Sequence, residues 1–254
     1  MTDLEAQILA TLLITLRLGP TFTFAPPFTM LRIPARLRLF AVLSLSLVIT
    51  GLLPELTVNR LIDLDQVYLA AGREFIVGLT IMIGFKAAFM AILMVGRAID
   101  IQAGYGLALL ADPSNASQMP LIGTVLAYAA AVVFFLTDGL RNLFLIVLQS
   151  VQQFPISSDP VFLDPGTLGT LIALCFVFAL GLISLVLVSL MLVDATVAIM
   201  ARTLPQMNVL LIGFQVKTLI VLATLPIAIG ASASLFLNLF QTVLEYSFVL
   251  RAGG

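Results

Sequence analysis

Five charged residues lie inside segments that are otherwise apolar, and these side chains have the clearest capacity for chemistry in the sequence. They are Arg73, Glu74, Lys86, Asp194 and Lys217. A charge at the centre of a bilayer costs about 2.5–3.5 kcal/mol on translocon scales, so each group needs a partner or a function. The two carboxylates could serve a proton or ion relay. Because the chain has no His, structural ion pairs that fix helix packing are the favoured interpretation.

The partners of these charges must come from elsewhere in the fold. Adjacent residues on a helix point about 100° apart, so Arg73 and Glu74 cannot fully neutralise each other. Neither has an opposite charge three or four residues away, and the same holds for Lys86 and Lys217. A pair between Lys217 and Asp194 is geometrically possible across adjacent helices. The sequence therefore predicts contacts from other helices, from water or from other chains.

A glycine-rich stretch, residues 96–106, leads into an apolar run that ends at Asp112-Pro113. Gly104 and Gly106 permit positive φ and a close approach of backbone. The residue before Pro is biased away from the helical region, so the run is held between two helix breakers. It could form a re-entrant loop or a pore plug, which the membrane interior tolerates inside protein or beside water. A simple surface turn between two spans is the alternative that composition favours.

Other polar features have ordinary explanations. Arg97 and Asp100 are three residues apart and predict a local surface ion pair. Residues 78–86 hold two glycines and a lysine, but their spacing does not match a phosphate-binding P-loop. Cys175 lies in an apolar run and is predicted to be a buried, inert thiol.

Composition removes whole classes of function. Of 254 residues, 61% are hydrophobic and 10% charged, whereas soluble domains are about half apolar and a quarter charged. The mean hydropathy is +1.18, so lipid or neighbouring protein must cover the surface. Without His there is no His-based metal site, haem or nucleophile pair. The net charge of −1 offers no basic surface for nucleic acid. We expect no cofactor, no metal and no catalytic residue.

The order of apolar segments and breakers predicts an all-α, polytopic, membrane-associated protein of helical hairpins with kinked and broken helices. The segment 6–31 should be broken by its prolines, and Pro226 with Gly230 should separate the last two helices. Arg32, Arg36 and Arg38 should be cytoplasmic, with the loops at 55–65 and 155–166 on the opposite side. The other predicted helical segments are 39–53, 66–96, 120–137, 140–154, 165–193, 209–229 and 233–250.

Several blocks in consistent order resemble the FliR-like family, the export-gate subunits of flagellar and related type III secretion systems. The most specific block is Pro205-Gln206-Met207-Asn208-Val209, followed by Gly213-Phe214-Gln215-Val216-Lys217. The chain departs from the family pattern at Asp138-Gly139-Leu140, where many members have Gly-His. The remaining blocks are Arg17-Leu-Gly-Pro20, Ile33-Pro34-Ala-Arg36-Leu-Arg38, Arg97-Ala-Ile-Asp100-Ile-Gln102-Ala-Gly104-Tyr-Gly106 and Asp112-Pro113.

The resemblance implies a multi-pass protein of the bacterial inner membrane, in the flagellum basal body. It implies assembly with FliP-like and FliQ-like gate subunits beside FlhB-like and FlhA-like export proteins. Unfolded protein substrates would pass through that gate, and membrane lipid would be a further partner. In such assemblies partner chains contact much of the apolar surface, and the complex can sit largely above the membrane plane. Residues 1–160 would be the FliP-like half and residues 161–254 the FliQ-like half.

The family's plug loop maps onto Leu107–Pro113, which raises the expectation of a gating role. The gating residues are then Gly104, Tyr105, Gly106, Leu107, Leu109, Leu110, Asp112, Pro113 and Met119. Packing or partner contact falls to Pro205, Gln206, Met207, Asn208 and the five charged residues named first.

Two functions compete. The first is a non-enzymatic subunit of a protein-export gate. The alternative is a self-contained secondary transporter with a midplane site near Asp194 and Lys217. A membrane enzyme is disfavoured because the chain has no His and no cofactor motif.

Overall fold

Helices make up the regular structure of every segment that the structure, a computed structural model, describes: residues 3–58, 67–105, 120–156, 165–203, 209–231 and 233–249. The predicted all-α class is confirmed, and no strand occurs within these segments. A short 3₁₀ turn covers Pro54–Leu56. The α-helices are α1 (Asp3–Phe24), α2 (Pro26–Met30), α3 (Ala35–Leu52), α4 (Val67–Ala103), α5 (Leu121–Leu136), α6 (Gly139–Gln153), α7 (Pro165–Thr203), α8 (Val209–Ala231) and α9 (Ala233–Val249).

Within the described residues, five helices are long and apolar enough to cross a bilayer. The chain is therefore a polytopic membrane protein, as predicted. The α5–α6 pair also passes this test as a unit, but it is bent by 72° at its break. Asp138, at this break, has a φ of +56°. The five candidate spans are Leu4–Phe24, Ala35–Leu52, Val67–Ala103, Gly166–Thr203 and Leu211–Ala231.

Prolines break the chain at one predicted place and not at two others. The first helix ends at Phe24, and Ala25 is extended, with φ −69° and ψ 135°, because Pro26 disfavours the helical region for the residue before it. Pro20, by contrast, lies inside α1. Pro226 lies inside α8, which continues to Ala231, and α9 begins at Ala233, so the last two helices separate just after Gly230, close to the predicted place.

Two helices run further than the sequence predicts. The helix expected to end at residue 96 continues to Ala103, and Gly104, with a φ of +86°, follows its end. The helix expected to end at residue 193 continues through Asp194 to Thr203. A charged residue is therefore a poor indicator of where a membrane span ends, because a residue on another helix can neutralise the charge.

The chain divides into two compact units. Unit 1 combines residues 1–87, 134–172 and 240–254, and unit 2 combines residues 88–133 and 173–239. The predicted halves, 1–160 and 161–254, concern likeness to other proteins, and that division stays a prediction.

An antiparallel hairpin of α1 and α3 forms part of unit 1. The hydroxyl groups of Thr11 and Thr50 lie 3.2 Å apart, near the start of α1 and the end of α3. At the opposite ends of the two helices, Arg38 Nη1 donates to the Thr23 carbonyl at 2.7 Å. The predicted helical-hairpin architecture is present here.

Aromatic rings form much of the core of unit 1. Phe22 and Phe28 stack with centroids 4.6 Å apart, which fixes the short helix α2 against α1. Phe134 makes edge contacts with Phe85 at 5.6 Å and with Phe240 at 5.3 Å. Such pairs add roughly 0.5–1.5 kcal/mol beyond the burial of area.

The predicted loops at 55–65 and 155–166 begin at the same place in unit 1. The backbone N–H of Ile156 donates to the Leu56 carbonyl at 3.2 Å. The residues that follow, 59–66 and 157–164, are outside the described residues. The two loops therefore start next to each other, and the side of the membrane on which they lie stays a prediction.

Unit 2 contains an antiparallel pair, α7 and α8. A Cβ on Gly213 would lie 3.3 Å from a methyl group of Val197, and three residues back along α7, Asp194 meets Lys217. The start of α5 approaches α4 even more closely, because a Cβ on Gly96 would collide with the backbone of Gly123. Glycine is required at that crossing.

Candidate functional site: polar groups inside the apolar helices

Arg17 is the centre of a buried polar cluster in unit 1. Its Nε donates to Glu74 Oε2 at 2.5 Å, its Nη1 to Ser150 Oγ at 3.2 Å and its Nη2 to the Phe154 carbonyl at 2.8 Å. The exposed fraction of the side chain is 1% for Arg17 and 3% for Glu74. We call Arg17, Glu74, Ser150 and the Phe154 carbonyl the Arg17 cluster. It connects α1, α4 and the end of α6.

The backbone positions this cluster by a close contact of α1 with α4. A Cβ on Gly78 would collide with the Arg17 carbonyl oxygen, and Thr21 Oγ1 donates to the Gly78 carbonyl at 3.4 Å. Glu74 lies one helical turn before Gly78, so it faces the Arg17 side chain. A buried pair of this kind is costly to assemble, but leaving one partner alone costs more. The cluster therefore fixes how these helices pack.

Lys217 is the centre of a second, more exposed cluster, in unit 2. Its Nζ lies 2.5 Å from Asp194 Oδ1, and the exposed fraction of the side chain is 19% for Lys217 and 45% for Asp194. The same Nζ donates to the Gln102 carbonyl at 2.9 Å. We call these three groups the Lys217 clasp. It joins α7, α8 and the end of α4, and it contains the Lys217–Asp194 pair that the sequence left open as a possibility.

The clasp completes the C-terminal cap of α4. The last four carbonyls of a helix have no N–H donor from the same helix. Here the Asp100 carbonyl accepts from Tyr105 N–H at 2.9 Å, and the Ile101 carbonyl accepts from Gly104 N–H at 3.1 Å. Lys217 supplies the donor for the next carbonyl, Gln102, where a cation also complements the negative end of the helix dipole.

Two residues of the predicted gating set lie beside the clasp. A Cβ on Gly104 would lie 3.0 Å from the Phe214 ring, and Gly104 adopts a φ of +86° that favours glycine. The rings of Tyr105 and Phe214 meet edge to face at 6.5 Å. The end of α4 is therefore packed against α8.

Asp100 caps the next helix. Its Oδ1 accepts a hydrogen bond from Ile122 N–H at 3.0 Å, at the start of α5, and its exposure is 6%. The predicted surface location is wrong, because Asp100 is buried and satisfies a free N–H of that helix end, although the charge of Arg97 still acts on it. With the Gly96–Gly123 contact, this bond brings together the two chain ends that flank residues 106–119.

Many predicted site residues lie outside the described residues, so their role stays a prediction. In the glycine-rich and apolar stretch these are Gly106, Leu107, Leu109, Leu110, Asp112, Pro113 and Met119. In the second block they are Pro205, Gln206, Met207 and Asn208.

The two remaining predicted charges are in unit 1. Lys86 is exposed, and its Nζ lies 6.0 Å from the centroid of the Phe24 ring, at the outer limit of a cation–π contact. Arg73 is half-buried in α4.

Sequence reasoning missed three residues that the structure brings into polar clusters: Arg17, Ser150 and Asp100. Arg17 is the one charge between Glu5 and Arg32. A lone charge at that depth should itself have raised the question of a partner. For Ser150 no sequence signal exists, since a serine in an apolar helix can bond to its own backbone, as Ser150 Oγ does to Val147 O at 2.7 Å.

In the part of the chain that the structure describes, no group of three or more His, Cys, Asp or Glu residues could hold a metal ion. Cys175 is buried there, as expected of a thiol in an apolar run. The polar chemistry of these residues is ion pairing and hydrogen bonding.

Comparison with known proteins gives consistent matches across the chain. The family model for bacterial export proteins, family 1, matches residues 8–243. The flagellar biosynthetic protein FliR of Bacillus subtilis is 28% identical over 93% of this chain and 92% of its own length. FliR of Escherichia coli is 25% identical, with 87% and 81% covered. The secretion system apparatus protein SsaT of Salmonella typhimurium is 28% identical over 61% of each chain.

Proposed function

Since this chain belongs to the bacterial export proteins, family 1, we propose that it is a non-enzymatic subunit of the gate through which unfolded proteins leave the cytoplasm. The chain is a component of a flagellar or related type III export apparatus in the bacterial inner membrane. The gate role and the partners below are the further step.

Partner subunits are supported by the length of α7. Its 39 residues reach about 58 Å at 1.5 Å per residue, and a tilt of 40° leaves about 44 Å along the membrane normal. The hydrocarbon layer is about 30 Å thick. Apolar side chains nevertheless remain exposed from Ile172, at 42%, to Ile199, at 65%. These residues span about 40 Å along the helix at 1.5 Å per residue, so lipid alone would cover them only if the helix were tilted by about 40°. Contact with FliP-like and FliQ-like subunits, beside FlhB-like and FlhA-like proteins, would cover them at any smaller tilt.

The observation that carries the gating proposal is the anchoring of the chain on both sides of the predicted plug, Leu107–Pro113. Before it, the Lys217 clasp holds the Gln102 carbonyl. After it, Ile122 N–H is bound by Asp100. A plug must be held at fixed ends to block a pore repeatedly without leaving it, and these anchors meet that requirement.

A flagellar role is favoured over a virulence-type injector. The FliR relatives align over most of this chain, whereas the secretion apparatus relative aligns over less than two thirds of it. We therefore propose the flagellum basal body as the location.

The alternative of a self-contained secondary transporter is not favoured. Asp194 and Lys217 neutralise each other, and the lysine also binds a backbone carbonyl. These contacts occupy the groups that a solute would need.

Deletion of residues 107–113 in the native organism tests the gate. We expect the subunit to assemble with its partners but the membrane to leak ions, because the pore would lose its seal. Assembly is measured by co-purification, leakage by conductance or by growth in high salt, and export by the secreted flagellar proteins.

The matched control is a deletion of equal length within the predicted loop 155–166, which should not cause leakage. The gate assignment would be lost if deletion of 107–113 neither leaked ions nor altered secretion while the protein accumulated normally.

A further inference from the structure

Four cations of unit 1 gather where α1 ends and α3 begins. Arg38 Nη1 donates to the Thr23 carbonyl at 2.7 Å, and Lys86 Nζ lies 6.0 Å from the centroid of the Phe24 ring. Both contacts are with the last two residues of α1. Arg32 and Arg36 are exposed on either side of the turn that enters α3. We call Arg32, Arg36, Arg38 and Lys86 the basic patch.

No carboxylate of the described residues neutralises this patch. The sequence has no Asp or Glu between Glu5 and Glu55, and the buried Glu74 is bound by Arg17. Arg38 Nε is buried and has no hydrogen-bond partner among the described residues. An unsatisfied buried donor on a cation costs more than a neutral one. Within the described segments, the patch therefore has no anion.

The start of α3 adds to this deficit. The helix begins after Pro34 with no side-chain cap and no acidic residue in its first turn. The positive end of the helix dipole is therefore uncompensated, and Arg36 and Arg38 increase the positive charge there. Helix N-termini of this kind bind phosphate through free N–H groups, and guanidinium groups bind it in a bidentate manner.

The surroundings of the patch distinguish a lipid from other anions. Leu37 and Leu39 are each 60% exposed and Phe40 is 71% exposed, directly beside the arginines. The candidate span Ala35–Leu52 has 22% of its window buried, so its apolar surface needs cover along its length. A molecule with a phosphate at one end and hydrocarbon at the other satisfies both needs.

We propose that the basic patch binds the headgroup phosphate of an anionic phospholipid whose acyl chains lie along the exposed face of α3. Arg36 and Arg38 contact the phosphate, and Arg32 and Lys86 supply further positive charge. This inference needs the chain to lie in a membrane but does not depend on the gate role.

The test measures lipid preference in the full chain, purified in detergent with the subunits that accompany it. Phosphatidylglycerol and phosphatidylcholine are added separately, and bound lipid is counted by native mass spectrometry together with the thermal midpoint. The variant Arg32→Gln/Arg36→Gln removes two exposed guanidinium groups and leaves the Arg38–Thr23 bond in place. We expect its preference for phosphatidylglycerol to fall by about fivefold for each arginine.

Two further variants separate binding from general charge. Arg141→Gln removes an exposed arginine of the same unit and should keep the full preference. Arg32→Lys/Arg36→Lys keeps the charge but loses the guanidinium fork, so it should fall between wild type and the glutamine variant.

Three results would overturn the proposal. One is an unchanged phosphatidylglycerol preference in the double glutamine variant, and another is an equal loss in Arg141→Gln. The third is equal stabilisation by inorganic phosphate, which would indicate a site for a free anion. The lipid-binding test measures neither ion leakage nor secretion, so failure of this proposal is distinguishable from failure of the proposed gate.

Discussion

The Arg17 cluster and the Lys217 clasp have the same chemistry in different surroundings. Each is an ion pair between helices with nitrogen and oxygen 2.5 Å apart, and each cation also donates to a backbone carbonyl. They differ in exposure: 1% and 3% for the first pair of side chains, 19% and 45% for the second. Because the geometry is the same, the difference in burial should decide how much stability each cluster loses when one partner is removed.

Because of this difference, the two clusters contribute differently to stability. Water cannot solvate a buried charge that has lost its partner, so the ion pair of the Arg17 cluster must stay formed for unit 1 to remain folded. A half-exposed pair can exchange its partner for water at little cost. The Lys217 clasp can therefore lose one partner at a small cost in stability, although it holds the end of α4 in place.

The largest effect is expected from removing one side of the buried pair. Arg17→Met leaves Glu74 buried and unpaired, and it should lower the free energy of unfolding by about 3–5 kcal/mol. The measurements are the amount of full-length protein in the membrane fraction and the denaturant midpoint of the purified protein.

The double variant Arg17→Met/Glu74→Leu sharpens this result. With both charges gone, most of the lost stability should return, because neither side chain needs a polar partner. If the double variant were as unstable as Arg17→Met alone, the defect would come from the bonds to Ser150 and Phe154 and not from the unpaired carboxylate.

A smaller effect is expected from crowding the backbone beside each cluster. Gly78→Ala places a methyl group against the Arg17 carbonyl oxygen and should cost about 1–3 kcal/mol. Gly213→Ala should cost less, because its neighbour is a Val197 methyl group at 3.3 Å, which can shift. Thermal midpoints of the three proteins give the order.

Gly72→Ala is the matched control in the same helix as Gly78. No atom lies within 4 Å of its Cβ position, so helix propensity alone should stabilise the protein by up to about 1 kcal/mol. Equal thermal midpoints for the Gly72 and Gly78 variants would contradict the tight contact of α1 with α4.

The smallest change in stability is expected at the exposed pair. Asp194→Asn should lower the free energy of unfolding by about 1 kcal/mol or less, while altering export if the clasp holds one end of the plug. Denaturant midpoint and secreted flagellar protein are measured on the same strain. A loss of stability as large as that of Arg17→Met would remove the contrast between the two clusters.

The sequence predicted the helical class and the membrane spans because hydropathy reports on burial in lipid directly. It raised the Lys217–Asp194 pair as a possibility, since both charges were stranded in apolar helices. It did not identify Arg17, whose partners lie 57 to 137 residues away in the chain. It also misplaced Asp100 on the surface, because spacing shows a neighbour in sequence and not the start of α5 that folds against it. Long-range partners depend on tertiary packing, which periodicity does not encode.

The sequence separation within the Arg17 cluster sets an order for biogenesis. Arg17 is translated 57 residues before Glu74 and 133 residues before Ser150. An unpaired arginine in the bilayer costs about 2.5–3.5 kcal/mol. The first hairpin therefore has an unpaired buried arginine until α4 has been synthesised. Truncated nascent chains that end before α4 should therefore be preferred substrates for membrane proteases, and protection should begin when α4 is inserted.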